Sequence, residues 1–153
     1  MREELVNKIK FQISEIDLLF EKYSDLFEKV KETTPDLIEL TAIASVLHSF
    51  YNGIENIMSL ISNESMEKNA TGNNWHKKLL FSMLEEKSKQ MPILRIESVD
   101  FLKGYLAFRH FFRHSYSFEL NWVNLRDLTV QVRKTWDYVK SDFIEFVIRN
   151  ESF

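Results

Sequence analysis

The sequence predicts an all-α protein, an antiparallel bundle of about five helices, on three observations. Only three glycines and two prolines interrupt 153 residues, too few for the turns of a sheet protein. The segments between them are rich in Leu, Glu and Lys, which favour helix, with Phe and Ile as bulk. Within those segments the apolar residues recur at alternating spacings of three and four, the period of a helix with one buried face. The length and 44% hydrophobic content fit a single domain over residues 1–153. With no cysteine, disulfides, thiolate metal sites and cysteine nucleophiles are excluded. The start, Met1-Arg2-Glu3-Glu4, carries both charges and leads into no unbroken apolar run, so no signal peptide is expected. The charge-free window Leu40 to Ile54 is too short and too polar to cross a bilayer. A soluble, cytoplasmic protein without membrane contact is therefore expected.

The first helix is predicted from Arg2 to about Lys31, its stripe formed by Ile9, Ile13, Ile16, Phe20, Tyr23, Phe27 and Val30. Thr33-Thr34-Pro35-Asp36 then announces the second, with a threonine N-cap, proline at the first helical position and an acid in the first turn. Leu37, Leu40, Ala44, Leu47, Tyr51, Ile54, Met58 and Ile61 continue the rhythm, and the short connection implies an antiparallel pair. Ser62 to Asn74 is polar and reads as a surface excursion, with Asn69 to Asn74 its clearest loop composition. A shorter third helix is predicted from Trp75 to about Lys87, capped by Asn74, with Leu79, Leu80, Met83 and Leu84 inward; Met91-Pro92 ends that region. The fourth begins near Ser98-Val99-Asp100, and the fifth runs from about Trp122 to Arg149 with Leu125, Leu128, Val132, Trp136, Val139, Phe143 and Phe146 inward.

The chemistry concentrates on the fourth helix. From Phe101 to Phe118 there is no carboxylate, although the chain has a net charge of −3, and the run holds Lys103, Arg109, Arg113, His110 and His114 among aromatics. Fixed cations beside titratable imidazoles and aromatic rings are what a phosphate-binding surface requires. On a helical wheel Phe101, Tyr105, Phe108 and Phe112 form the core stripe, and Arg109 shares an edge with Tyr116, about two turns or roughly 10 Å along the axis. His110 and His114 fall elsewhere, so one straight helix does not aim Arg109 and His114 at a common atom. A break near His114, or a second copy of the chain, would bring them together. Gly104, Ala107 and Phe111 flank His114 with enough room for another helix, which makes a composite site in a symmetric dimer an expectation of the spacing. Plainer readings stand beside it: an arginine snorkelling from an apolar stripe, an amphipathic tyrosine at a helix end, and a histidine pair at i and i+4 that lacks the acidic partners of a metal site.

Arg109-x-x-x-x-His114-x-Tyr116, late in an all-α chain of this length, resembles the motif of the HEPN superfamily and specifically of its HepT-like ribonuclease toxins, which are encoded beside MNT-type nucleotidyltransferase antitoxins. Leu47-His48-Ser49-Phe50-Tyr51-Asn52-Gly53-Ile54-Glu55-Asn56 and Phe101-Leu102-Lys103-Gly104-Tyr105 share in the resemblance. What it implies is a metal-independent endoribonuclease, without cofactor, acting as a homodimer on RNA with the motif residues of both chains lining one cleft. It also implies a toxin silenced when a partner nucleotidyltransferase adds AMP to the motif tyrosine, here Tyr116. Glu55, flanked by Asn52 and Asn56, resembles a polar position that supports the site in relatives; a solvated glutamate is the plainer reading.

The residues suit that chemistry. An imidazole of reference pKa about 6.5 takes or gives a proton at neutral pH, making His114 the general acid/base candidate. Arg109, always protonated and able to bind phosphate through two donors, would stabilise charge developing at phosphorus. Phosphodiester charge on Tyr116 would pair with Arg109 and occupy the substrate's place. Arg113 adds to the positive field. His110 departs from the small polar residue that many HEPN nucleases carry after the arginine: it either substitutes as a phosphate contact or second proton carrier, or marks reduced activity. A catalytically silent HEPN module that binds a nucleotidyltransferase, nucleotide or RNA is the alternative function.

Overall fold

A computed structural model describes residues 2–64, 74–86 and 91–151. Among the described residues there are six α-helices, α1 (Arg2–Lys22), α2 (Ser24–Lys29), α3 (Leu37–Glu64), α4 (Trp75–Ser82), α5 (Ile96–His114) and α6 (Trp122–Glu151), one 3-10 turn at Ser117–Glu119, and no strand. Of the excursion expected from Ser62 to Asn74, residues 65–73 lie outside them, and Ser62 to Glu64 instead continue α3, whose backbone ladder runs on through these polar residues.

α3 is the axis of the bundle. It packs against each of the other five helices, and its inner face, including Ile43, Leu47, Phe50, Tyr51, Ile54 and Met58, is fully buried. α1 runs antiparallel to it, as the contacts Phe20 to Phe50 and Gln12 to Asn56 require. Close approach is possible there because Gly53 has no Cβ: one would meet Ile16 Cγ1 at 2.7 Å. α6 returns antiparallel to α1, tied by Trp136 Nε1–H and Lys140 Nζ–H, which both donate to the Asp17 carboxylate, at 2.8 and 2.7 Å. α5 lies against α3 and α6, with the buried Tyr105 hydroxyl donating to the Leu128 carbonyl at 2.7 Å. α4 closes over α3 and α5.

Several element ends differ from the sequence expectation, each for a nameable reason. The first helix breaks at Tyr23, where the Ser24 hydroxyl donates to the Glu21 carbonyl and competes with the helical ladder. Tyr23 is exposed and leaves the stripe, while Phe27 and Val30 rejoin the core from α2 and its end. The cap of α3 is Asp36, not a threonine. Its Oδ1 accepts from the Glu39 N–H at 2.8 Å while Glu39 Oε1 accepts from the Asp36 N–H at 3.0 Å, a reciprocal capping box that leaves Pro35 outside the helix. Leu37 is 57% exposed, so the buried stripe of α3 starts at Leu40.

α4 stops at Ser82, well before Lys87, because the Met83 carbonyl is taken by the N–H groups of Ile93 and Leu94 at 2.9 and 3.1 Å as the chain folds back. Asn74 precedes α4 without a side-chain cap bond. α5 starts at Ile96, earlier than Ser98, because its N-terminus is capped from another helix: Asp142 of α6 accepts the Arg95 N–H at 3.0 Å, Arg95 Nε–H at 2.7 Å and the buried Ser98 hydroxyl at 2.6 Å.

Candidate active site between α3, α4 and α5

α5 buries Val99, Leu102, Tyr105 and Phe108 against the core, and the next residue, Arg109, therefore sits at the edge of that face and turns inward. Its side chain is only 13% exposed and points at Glu55 of α3, 8% exposed at the side chain and set among fully buried Ile54, Ile57 and Met58. A carboxylate so placed is costly without partners. It has two. His76, in the first turn of α4, places Nδ1 2.8 Å from Glu55 Oε2, and Arg109 places Nε 3.7 Å from Glu55 Oε1. Arg109 Nη1 also lies 3.4 Å from His76 Nε2, which closes a three-residue cluster. The Trp75 ring covers the imidazole, with centroids 3.6 Å apart and planes 33° from parallel.

A second imidazole borders the cluster. His48, seven residues before Glu55 on α3, packs on Phe112 at 4.7 Å and accepts at Nε2 from the Asn52 amide at 3.1 Å. Burial pushes its pKa below the ordinary value, and the positive charges of Arg109 and Arg113 push it further, against a smaller opposing pull from Glu55. Tyr51 lies one turn from both, fully buried. Burial and the Glu55 charge drive its phenol pKa far up, so it keeps its proton. Among the described residues, His48 Nδ1, the Tyr51 hydroxyl and Arg109 Nε are buried without a hydrogen-bond partner. All three belong to this stretch of α3 and α5.

The structure brings two of the sequence-predicted residues together, Arg109 and Glu55, and sets the others apart from them. His110 and His114 are exposed on the outer face of α5 with ring centroids 4.7 Å apart, the pairing that a four-residue spacing gives. Arg113 is exposed. Tyr116 does not share a helical edge with Arg109, because the helix ends at His114: Ser115 (φ −115°, ψ 152°) and Tyr116 (φ −77°, ψ 150°) are extended. The Tyr116 ring instead stacks on Phe118, centroids 5.4 Å apart and planes within 6°, with both residues 71% exposed. Nor is Gly104 free for a second chain, since a Cβ there would meet Leu128 Cδ2 of α6 at 2.9 Å; its small size serves packing within the bundle.

His76 was not legible as a member of the cluster. It precedes Arg109 by 33 residues with no motif spacing between them, and a histidine in the first turn of a short helix is the only signal it gives. Chemically, the cluster holds a permanent, largely buried cation whose Nη1 is engaged by His76 and whose Nε faces the Glu55 carboxylate. Among the described residues, no three His, Asp or Glu side chains converge as metal ligands. A broad groove of about 600 Å³ lies elsewhere, lined by Glu3, Glu4, Asn7, Lys8, Phe11, Gln12 and Leu60, and its acids make it a poor seat for phosphate.

A helical bundle that carries Arg109-x-x-x-x-His114-x-Tyr116 across the end of its penultimate helix has the outline of a HEPN-type module. Residues 42–149 match the family described as HepT-like protein, and the chain belongs to that family. The matched region starts within α3 and includes Glu55, His76 and the whole Arg109 to Tyr116 motif. No curated protein and no solved structure matches the chain. Among the described residues, no helix is long and apolar enough to cross a membrane.

Proposed function

We propose that the protein is a ribonuclease toxin of the HepT type, cleaving RNA without a metal ion in a cleft completed by a second copy of the chain. The observation that carries this reading is the coincidence of the family match with a largely buried Arg109 oriented by Glu55 and His76 at the head of the motif. In the proposed reaction His114 takes the proton of a ribose 2′-hydroxyl or returns one to the leaving oxygen, and Arg109 neutralises charge on the phosphate. His114 is exposed and faces away from the Arg109 cluster, so the Arg109 of one chain and the His114 of the other would act on one phosphate. Arg113 supplies positive field at the mouth, His110 offers a ring nitrogen as a phosphate contact there, and Glu55 supports Arg109 from beneath. Tyr116, exposed just past the helix, is the accessible hydroxyl for AMP transfer from a partner nucleotidyltransferase, and the added phosphodiester would block the same mouth.

The alternative, a silent HEPN module, draws on the inward commitment of Arg109, whose Nη1 is already in contact with His76. One preparation separates the two. Purified protein in EDTA should degrade RNA, and Arg109→Ala and His114→Ala should each lower the rate by about 10²-fold or more. Equal persistence of RNA with all three proteins refutes the nuclease. After co-expression with a nucleotidyltransferase, intact mass should rise in AMP steps with loss of activity, and modification that survives Tyr116→Phe would place it on another residue.

A further inference from the structure

We propose that His76 is a positioning residue, a neutral relay that passes the charge of Glu55 to Arg109 and fixes the plane of its guanidinium. This rests on the reading of Arg109 as the phosphate-binding group. A guanidinium has only donors, so across the 3.4 Å contact Arg109 Nη1–H donates and His76 Nε2 accepts with its lone pair. Nε2 then carries no proton, which leaves the proton on Nδ1, 2.8 Å from Glu55 Oε2, where it is donated to the carboxylate. One neutral tautomer satisfies both ends. The opposite tautomer sets an N–H against an N–H on one side and a lone pair against a carboxylate on the other. An imidazolium keeps the Glu55 contact and faces Arg109 with a second donor.

The direct path from Arg109 to Glu55 does not do the same work. At 3.7 Å, Nε to Oε1 is an ion pair and too long for a hydrogen bond, and Nε has no hydrogen-bond partner among the described residues. Coulomb attraction holds the guanidinium near the carboxylate without setting its plane; the directional bond comes through His76. The imidazole is itself held, since Trp75 covers one face at 3.6 Å and the ring is one-fifth exposed. Glu55, His76 and Arg109 thus come from three helices, and the outer edge of the guanidinium is aimed by contacts on its inner edge.

Nitrogen NMR of the wild-type protein at neutral pH tests the relay without reference to RNA. The expected His76 ring has a pyrrole-type, protonated Nδ1 and a pyridine-type Nε2. An Nε2-protonated ring, or an imidazolium, overturns the proposal. In RNA cleavage, His76→Ala should lower kcat by roughly 10²-fold with little change in KM. His76→Gln, whose amide retains a donor and an acceptor, should recover part of the loss. Adding His76→Ala to Arg109→Ala should cost nothing further, and additive losses refute the relay. A wild type that leaves RNA intact refutes the nuclease alone, and the ring nitrogens then decide on the relay by themselves.

Discussion

His48 illustrates how far single side chains here depend on charges beside them. Its folded pKa is depressed, first by burial and then by Arg109 and Arg113. In the unfolded chain the imidazole binds a proton more readily, near its reference value of about 6.5. The contribution of His48 to stability is therefore complete above the unfolded pKa and is lost as pH falls from there through the depressed folded value. Urea midpoints at about pH 7.5 and about pH 5 should therefore fall apart in the wild type, and His48→Gln should narrow the gap. An unchanged gap would place the acid sensitivity on other groups. At this scale the sequence was partly readable. Arg109 stood out because its neighbourhood lacks acids, and Glu55 stood out by resemblance; their meeting, and the arrival of His76 between them, are products of packing across three helices that no local pattern encodes.

Elements were more legible than their ends. The alternation of three and four apolar spacings located all the long helices, since that periodicity is a local consequence of burying one face. Ends depend on who supplies the cap. Asp36 and Glu39 cap α3 from within three residues, yet the preceding threonines and Pro35 offered a competing local pattern. For α5 the cap comes from Asp142, 47 residues from Arg95, so Arg95 and Ile96 carry no sign of a helix start. The Asp142 carboxylate is buried, and its loss leaves the buried Ser98 hydroxyl and the Arg95 amide without an acceptor. Asp142→Ala should lower the unfolding free energy by about 2–3 kcal/mol, measured by urea titration, with most of the cost from those two groups because the Arg95 side chain is half exposed and regains water. Asp142→Asn, which keeps an acceptor oxygen, should cost less. Equal costs for the two variants would count against the capping account.

For the whole molecule, α3 touches every other helix, so the faces left for a partner are those that turn away from it. Phe111, Tyr116, Phe118 and Val123 are exposed in succession from the last turns of α5 into the first turn of α6. Single exposed apolar residues are ordinary, but a succession beside cationic side chains is a candidate interface. The composite cleft requires two copies, and light scattering at micromolar concentration should give twice the chain mass of 18.3 kDa. A strict monomer would remove the proposed cleft, and Phe111→Ser with Phe118→Ser should shift the measured mass towards one chain. Of the flank that the sequence suggested as the contact, Gly104 is taken by α6 of the same chain, because a missing Cβ invites any neighbour, while Ala107 and Phe111 remain exposed.

The stacking of Trp75 on His76 gives the molecule a use beyond its chemistry. Indole emission responds to an imidazole at 3.6 Å, whereas Trp136, hydrogen-bonded to Asp17 and packed on Phe50, is embedded in the bundle far along the chain from the cluster. One fluorophore thus watches the place where Arg109 is held, and another watches the core. With the third indole removed by Trp122→Phe, a solution in which the first signal changes while the second stays constant would report an event at the cluster with no label attached.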